Sequence, residues 1–247
     1  MKAIYRPTEN PVIEWVRSRF KRNKNWLAVI VGETGSGKSY SALTLAKAID
    51  PSFNANRVVF DVKSFVNMIT HEGLKEGNIV VYDEAGVGMD SKMWYSVQNK
   101  AMRYILQTFR RDNIGVIFTV PDITFIDKDA RKLIHSFIET ESIDYQRKLS
   151  YLKWYNIKVN ARTDTVIMSF PRFISEDGRV IVIRRVATCM PPDDLVKEYE
   201  KRKVEYTEQL KREMLEEIDY DKKKKRFTKR SLDSLLDRFV NPDAGVF

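Results

Sequence analysis

Residues 32 to 39 read GETGSGKS, placed between the apolar run WLAVIV and the helical pattern YSALTLAKAI. The spacing G-x-x-x-x-G-K-[ST] is met by Gly32, Gly37, Lys38 and Ser39. In a strand–loop–helix setting it predicts a phosphate-binding loop. Glycines let several N–H groups turn inward onto a phosphate, and the helix starting near Lys38 aims its positive dipole end at the same anion. The expected nucleotide contacts are Gly32, Glu33, Thr34, Gly35, Ser36, Gly37, Lys38, Ser39 and Tyr40. Lys38 is expected on the β- and γ-phosphates and the Ser39 hydroxyl on Mg²⁺. Glycines serving only a tight turn would not require the lysine and the hydroxyl in this order.

A chain built around such a loop needs a second acid at the end of another buried strand. NIVVYDE, residues 78–84, supplies it. Asp83 is expected to bind Mg²⁺ through water. Glu84, directly after it, can orient and activate a water for in-line attack on the γ-phosphate. GTP recognition usually needs [NT]-K-x-D, and NKAM at 99–102 lacks the aspartate, so ATP is the expected nucleotide.

The remaining apolar runs of strand length are Arg57–Phe60, Asn78–Tyr82 and Ile114–Thr119. They alternate with the helical patterns SYSALTLAKAI, VKSFVNMI and SVQNKAMRYILQTFRR. An amphipathic helix precedes them, with Val12, Ile13, Trp15, Val16 and Phe20 at helical spacing. Alternation of this kind predicts an α/β fold with a mostly parallel sheet flanked by helices. Thr119 falls at the C-terminal end of its strand, the edge where ligands bind in open α/β sheets, so it can sense the γ-phosphate or position the water. Arg110 and Arg111 close the preceding helix at the opposite edge, where they can complete a neighbouring subunit's site as arginine fingers. They can equally serve as the basic end that a helix dipole favours.

After about residue 140 the runs LSYLKWYNIKV, TDTVIMSF and RVIVIRRVAT follow without intervening helices, and Asp177-Gly178 marks a turn. They predict added antiparallel strands. Pro191-Pro192 then opens a charged helix over 193–218, expected to pack along one side or bridge subunits rather than carry chemistry. A basic run, KKKKRFTKR, and a short segment, SLDSLLDRF, follow. The expected organisation is a P-loop domain over 1–190 and a charged, helical tail over 191–247.

Composition narrows the partners. The net charge is +9, yet Lys222 to Arg230 holds seven of the 43 Lys and Arg and no acid, which leaves the rest of the chain at +2. That run can grip phosphate backbones, dock on an acidic membrane surface or protein, or act as a solvated linker. The single cysteine, Cys189, excludes an intrachain disulfide, and two distant histidines, His71 and His135, offer no zinc spacing, so any metal must bind oxygen. No apolar run is long enough to span a bilayer and the first ten residues lack a secretory signal, so a soluble, cytoplasmic protein is expected.

The segments GETGSGKSYSALTLAKAIDPSFN, IVVYDEAGVGMDSKMWYSVQNK and LQTFRRDNIGVIFTVPDITFIDKDARKLIH together resemble archaeal P-loop ATPases of the zonular-occludens-toxin-like group, related to the HerA/FtsK motor superfamily. The likeness spans residues 10 to 205. It implies a RecA-like ATPase core with extra strands, working with Mg²⁺ as a homo-oligomeric ring, a hexamer being one such size, that moves or packages DNA. Lys38, Ser39, Asp83 and Glu84 match the family's nucleotide and magnesium positions, and Arg110 or Arg111 its basic position before the fourth strand. Thr119 stands where such motors usually carry glutamine. The reading of a different class is an ATP-controlled assembly or adaptor protein that does not translocate.

Overall fold

The computed structural model describes residues 10–83, 113–125, 131–160, 162–175 and 177–240, with backbone alone at 125, 217, 219 and 221–240. It divides into two compact units, residues 1–200 and 201–247.

The first unit begins with helix α1 (Pro11–Phe20). Asn10 caps it by accepting a hydrogen bond from Val12 N at 2.9 Å, and Pro11 at its first position needs no hydrogen-bonded N–H. Its Arg17 donates to the backbone oxygens of Ala48 and Ile49 at the end of helix α2 (Lys38–Ile49), satisfying carbonyls that a helix terminus leaves open.

Strand β1 (Trp26–Val31) is buried throughout, and its side chains alternate between two cores. Trp26, Ala28 and Ile30 meet α1 and α2, whereas Leu27, Val29 and Val31 face helix α3 (Val62–His71). A two-residue period buried on both faces is what a central parallel strand requires. The same alternation runs through strands β3 (Ile79–Tyr82) and β4 (Gly115–Val120).

With strand β2 (Val58–Val59) and strand β5 (Ser136–Asp144), the order across the parallel part is β5-β1-β4-β3-β2. This is a RecA-like P-loop sheet. Strands β6 (Leu149–Asn160), β7 (Thr165–Ser169) and β10 (Arg185–Cys189) extend it with antiparallel pairing. Strands β8 (Arg172–Ile174) and β9 (Val180–Val182) form a separate hairpin around a turn containing Gly178, whose φ is 79°.

Several expected boundaries shift. The expected strand over Arg57–Phe60 shrinks to Val58–Val59, because Ala55–Arg57 forms a 3₁₀ turn capped by Asn54. The run RVIVIRRVAT is two strands in different sheets, divided at Ile183 and Arg184 where Ile183 N bonds back to Pro171 O. Strand β5 begins before residue 140 and runs parallel to β1, a pairing that its mixed sequence SFIETESID did not suggest. Helix α4 (Asp193–Val240) is continuous, so the basic run and SLDSLLDRF belong to one helix with the stretch before them. The helical pattern SVQNKAMRYILQTFRR lies outside the described residues. No helix among the described residues is long and apolar enough to cross a membrane.

Asp50, at the end of α2, joins three elements. It accepts from Ser52, from Arg57 Nη1 and from the backbone N of Ile79 at the start of β3. Burial pushes its carboxyl up, but the Ser52 hydrogen bond, the Arg57 charge and the Ile79 N–H outweigh it and leave the pKa below 3.8. The unfolded chain therefore takes up this proton more readily. The stabilisation is complete above pH 3.8 and is lost as pH falls through the lower folded value. Asp50→Ala is expected to cost about 3 kcal/mol at neutral pH by stranding the half-buried Arg57 and the Ile79 N–H. Urea midpoints at pH 7 and pH 3 measure this, and the gap between variant and wild type should narrow at the lower pH.

Candidate phosphate-loop site

The strand order brings the site together. Because β4 lies between β1 and β3 with Ile30 level with Thr119 and Tyr82 level with Phe118, the three strands end at one edge. Side-chain alternation then turns Thr119 toward the same side as Ile117, the α2 side.

Loop 32–37 leaves β1 and enters α2 at Gly37, whose φ of 84° lies in the left-handed region that favours glycine. No side chain caps α2 and no acid occupies its first turn, so the positive end of its dipole faces the loop without an opposing acid of its own turn. Gly32 is required for a different reason. A Cβ there would sit 1.8 Å from Thr140 Oγ1, because β5 runs directly behind the loop. Thr140 Oγ1 donates to Val31 O and bonds Ser36 Oγ at 2.8 Å, fastening the loop to the strand that shifts register there.

Lys38 is 8% exposed, and its Nζ donates to Gly32 O at 2.8 Å and Glu33 O at 2.7 Å. The ammonium is thereby held across the loop mouth. Glu33, Thr34 and Gly35 are exposed along the rim, with Ser36 half-buried. Tyr40 points elsewhere: its hydroxyl donates to Glu200 and its ring meets Tyr199 edge-on.

Asp83 follows β3 and is fully buried. Ser39 Oγ donates to its Oδ1 at 2.7 Å and Thr119 Oγ1 to the same oxygen at 2.6 Å. On the other oxygen, Oδ2, the phenol of Tyr199 donates at 2.7 Å. Three hydroxyls, from α2, β4 and the first turns of α4, therefore orient one carboxylate.

The donor set suits a hard divalent cation. Ser39 and Asp83 offer oxygens only, and no cluster of three His, Cys, Asp or Glu forms a closed cage among the described residues. Mg²⁺ keeps several waters and shares a few protein oxygens with phosphate, which matches this pair.

Of the residues singled out from sequence, Lys38, Ser39, Asp83 and Thr119 meet at one edge. Glu84, Arg110 and Arg111 lie outside the described residues. Sequence reasoning missed Thr140 and Tyr199. The charged helix over 193–218 is expected to pack along one side or bridge subunits rather than carry chemistry; its Tyr199 also reaches Asp83, across 116 positions. Its only local signal is the spacing of Leu195 and Tyr199, four apart and both buried on an otherwise charged helix.

No protein-family model matches the chain. Uncharacterized protein B-251 of Sulfolobus spindle-shape virus 1 is 26% identical over 228 residues, covering 85% of this chain and 86% of its own. Among solved structures, the N-terminal domain of zonular occludens toxin from Neisseria meningitidis is 17% identical. It covers 59% of this chain and 94% of that one, with a TM-score of 0.38. The genome packaging NTPase B204 from Sulfolobus turreted icosahedral virus 2 is 12% identical over 60% of this chain and 98% of that one, with a TM-score of 0.36. The fold itself rests on the strand order, the glycine loop and the strand-end aspartate: this chain has the architecture of a P-loop NTPase.

Proposed function

We propose that this chain is a Mg²⁺-dependent ATPase working as a homo-oligomer on nucleic acid. The observation that carries the nucleotide part is the meeting of Lys38, in the loop, with the Ser39–Asp83–Thr119 hydroxyl–carboxylate cluster beside it. In this reading the loop N–H groups and Lys38 bind the phosphates, and Ser39 with Asp83 holds the metal. Bound Mg²⁺ neutralises charge on the phosphate oxygens. Thr119 orients Asp83 through Oδ1, and Glu84, next in the chain, orients the attacking water. Arg110 or Arg111 serves the site of a neighbouring subunit.

The nucleic-acid part is supported by the resemblance of three segments to ring-forming motors and by the basic run Lys222–Arg230. Contacts of that kind weaken steeply with salt.

The test is the ATPase rate against added double- and single-stranded DNA at low and moderate salt. It is run for the full chain, for Lys38→Ala, and for a chain with Lys222, Lys223, Lys224, Lys225 and Arg226 replaced by glutamine. Lys38→Ala is expected to lose at least about fiftyfold in nucleotide affinity, since it removes charge-assisted contacts to phosphate. DNA is expected to stimulate the wild type, less so at higher salt and less in the glutamine chain. A wild type indifferent to both DNAs at low salt would overturn the motor reading in favour of ATP-controlled assembly.

A further inference from the structure

The beginning of α4 is built into the floor of the metal site. Leu195 and Tyr199 are buried in the core that α1 and α2 share, and Tyr199 is 1% exposed. The Tyr199 ring packs against Phe60 at 6.2 Å and edge-on to Tyr40 at 6.3 Å, while its hydroxyl donates to Asp83 Oδ2. Tyr40, the residue after Ser39, donates to Glu200 at 2.9 Å. Two tyrosines thus tie one turn of α4 to two consecutive structural features of the site, the acid and the start of the loop helix.

A buried phenol could have met any carbonyl of the core. Here it meets the one carboxylate that also accepts from Ser39. Packing alone would be served by phenylalanine; the hydroxyl is what distinguishes this position. A hydrogen bond from a neutral donor to a carboxylate fixes the acid's rotation about its side-chain bonds, and so the direction in which Oδ1 faces Ser39.

We propose that Tyr199 is a positioning residue that couples loading of Mg²⁺ to the docking of residues 193–200. The proposal rests on the nucleotide reading of the loop given above. Tyr199 holds Asp83 in the orientation that the metal uses. By linkage, whatever the docked turn adds to metal-dependent affinity, the metal-loaded nucleotide returns as tighter docking of that turn. Nucleotide without metal meets Lys38 and the loop N–H groups rather than Asp83, and so does not draw on the hydrogen bond that Tyr199 makes.

Tyr199→Phe removes the hydroxyl and keeps the ring. Affinity for a fluorescent, non-hydrolysable ATP analogue is measured with Mg²⁺ and with EDTA. Without metal the variant should match the wild type; the tightening that Mg²⁺ produces should fall by about tenfold, the scale of one hydrogen bond to a charged group. Hydrogen exchange of the wild type provides a readout that needs no variant. Residues 193–200 should exchange more slowly with analogue plus Mg²⁺ than with analogue plus EDTA, and this difference should vanish in Tyr199→Phe while slowing over residues 32–40 persists. If Tyr199→Phe shows the full Mg²⁺ tightening, or the wild-type turn is indifferent to Mg²⁺ while the analogue binds in a Lys38-dependent way, the coupling is overturned and the nucleotide reading stands. If analogue binding does not depend on Lys38, both readings fall together.

Discussion

Asp83→Asn is expected to lower Mg²⁺-dependent ATP turnover by about a hundredfold, the loss typical when a group that orients or supports a metal is replaced. The carboxylate accepts from Ser39 and Thr119 on one oxygen and from Tyr199 on the other. An amide keeps the shape but offers a single accepting oxygen, and it carries no charge toward the cation. One of the flanking hydroxyls must then turn around to accept from the new N–H. Because hydroxyls can do so, the fold should survive, with a thermal midpoint within a few degrees of wild type. Phosphate release titrated against Mg²⁺ checks the prediction: the variant should need far more metal and still reach a lower plateau. Turnover at the wild-type rate and metal concentration would show that Asp83 is a structural acid only.

Glu84→Gln is expected to reduce turnover by roughly 10²-fold to 10⁴-fold, the range for loss of a positioned general base, with nucleotide affinity left within a few-fold. The reasoning is positional. Glu84 follows Asp83 directly in NIVVYDE, and a second carboxylate beside the acid expected to hold Mg²⁺ can orient a water for attack on the γ-phosphate. Glutamine matches glutamate in size and spares the phosphate loop. Single-turnover hydrolysis alongside equilibrium binding separates the two quantities. A variant that hydrolyses normally would move the water-activating role elsewhere, and one that fails to bind would make Glu84 part of the nucleotide pocket instead.

The two variants also differ in how they should respond to metal. Excess Mg²⁺ should partly restore Asp83→Asn, which is short of metal affinity, and should do nothing for Glu84→Gln, which is short of a base.

What the chain's sequence determined by itself is the chemistry written in consecutive residues. The phosphate-loop pattern of Gly32 to Ser39 is legible in its spacing, and Trp26–Val31, six apolar residues in a row, reads as a strand that the structure then buries on both faces. The acid at 83 was legible because a buried strand announces its own end. The class of fold followed from strands alternating with helices, since parallel strands need crossovers.

What only the tertiary structure decided depends on partners far apart in the chain. Strand β5 reads as mixed and partly exposed in isolation; pairing with β1 on one side and β6 on the other makes it the strand behind the loop. That placement, not any local rule, turns Thr140 onto Ser36 and leaves no room for a Cβ at Gly32. Likewise the sequence of residues 193–218 announced a charged helix, yet said nothing of the one turn that enters the core. A helix needs only a residue or two on its inner face to dock, too few to register as periodicity. Whether Tyr199 meets a carbonyl, a hydroxyl or Asp83 is settled by where the sheet edge lies, and strand order, a property of the whole chain, settles that.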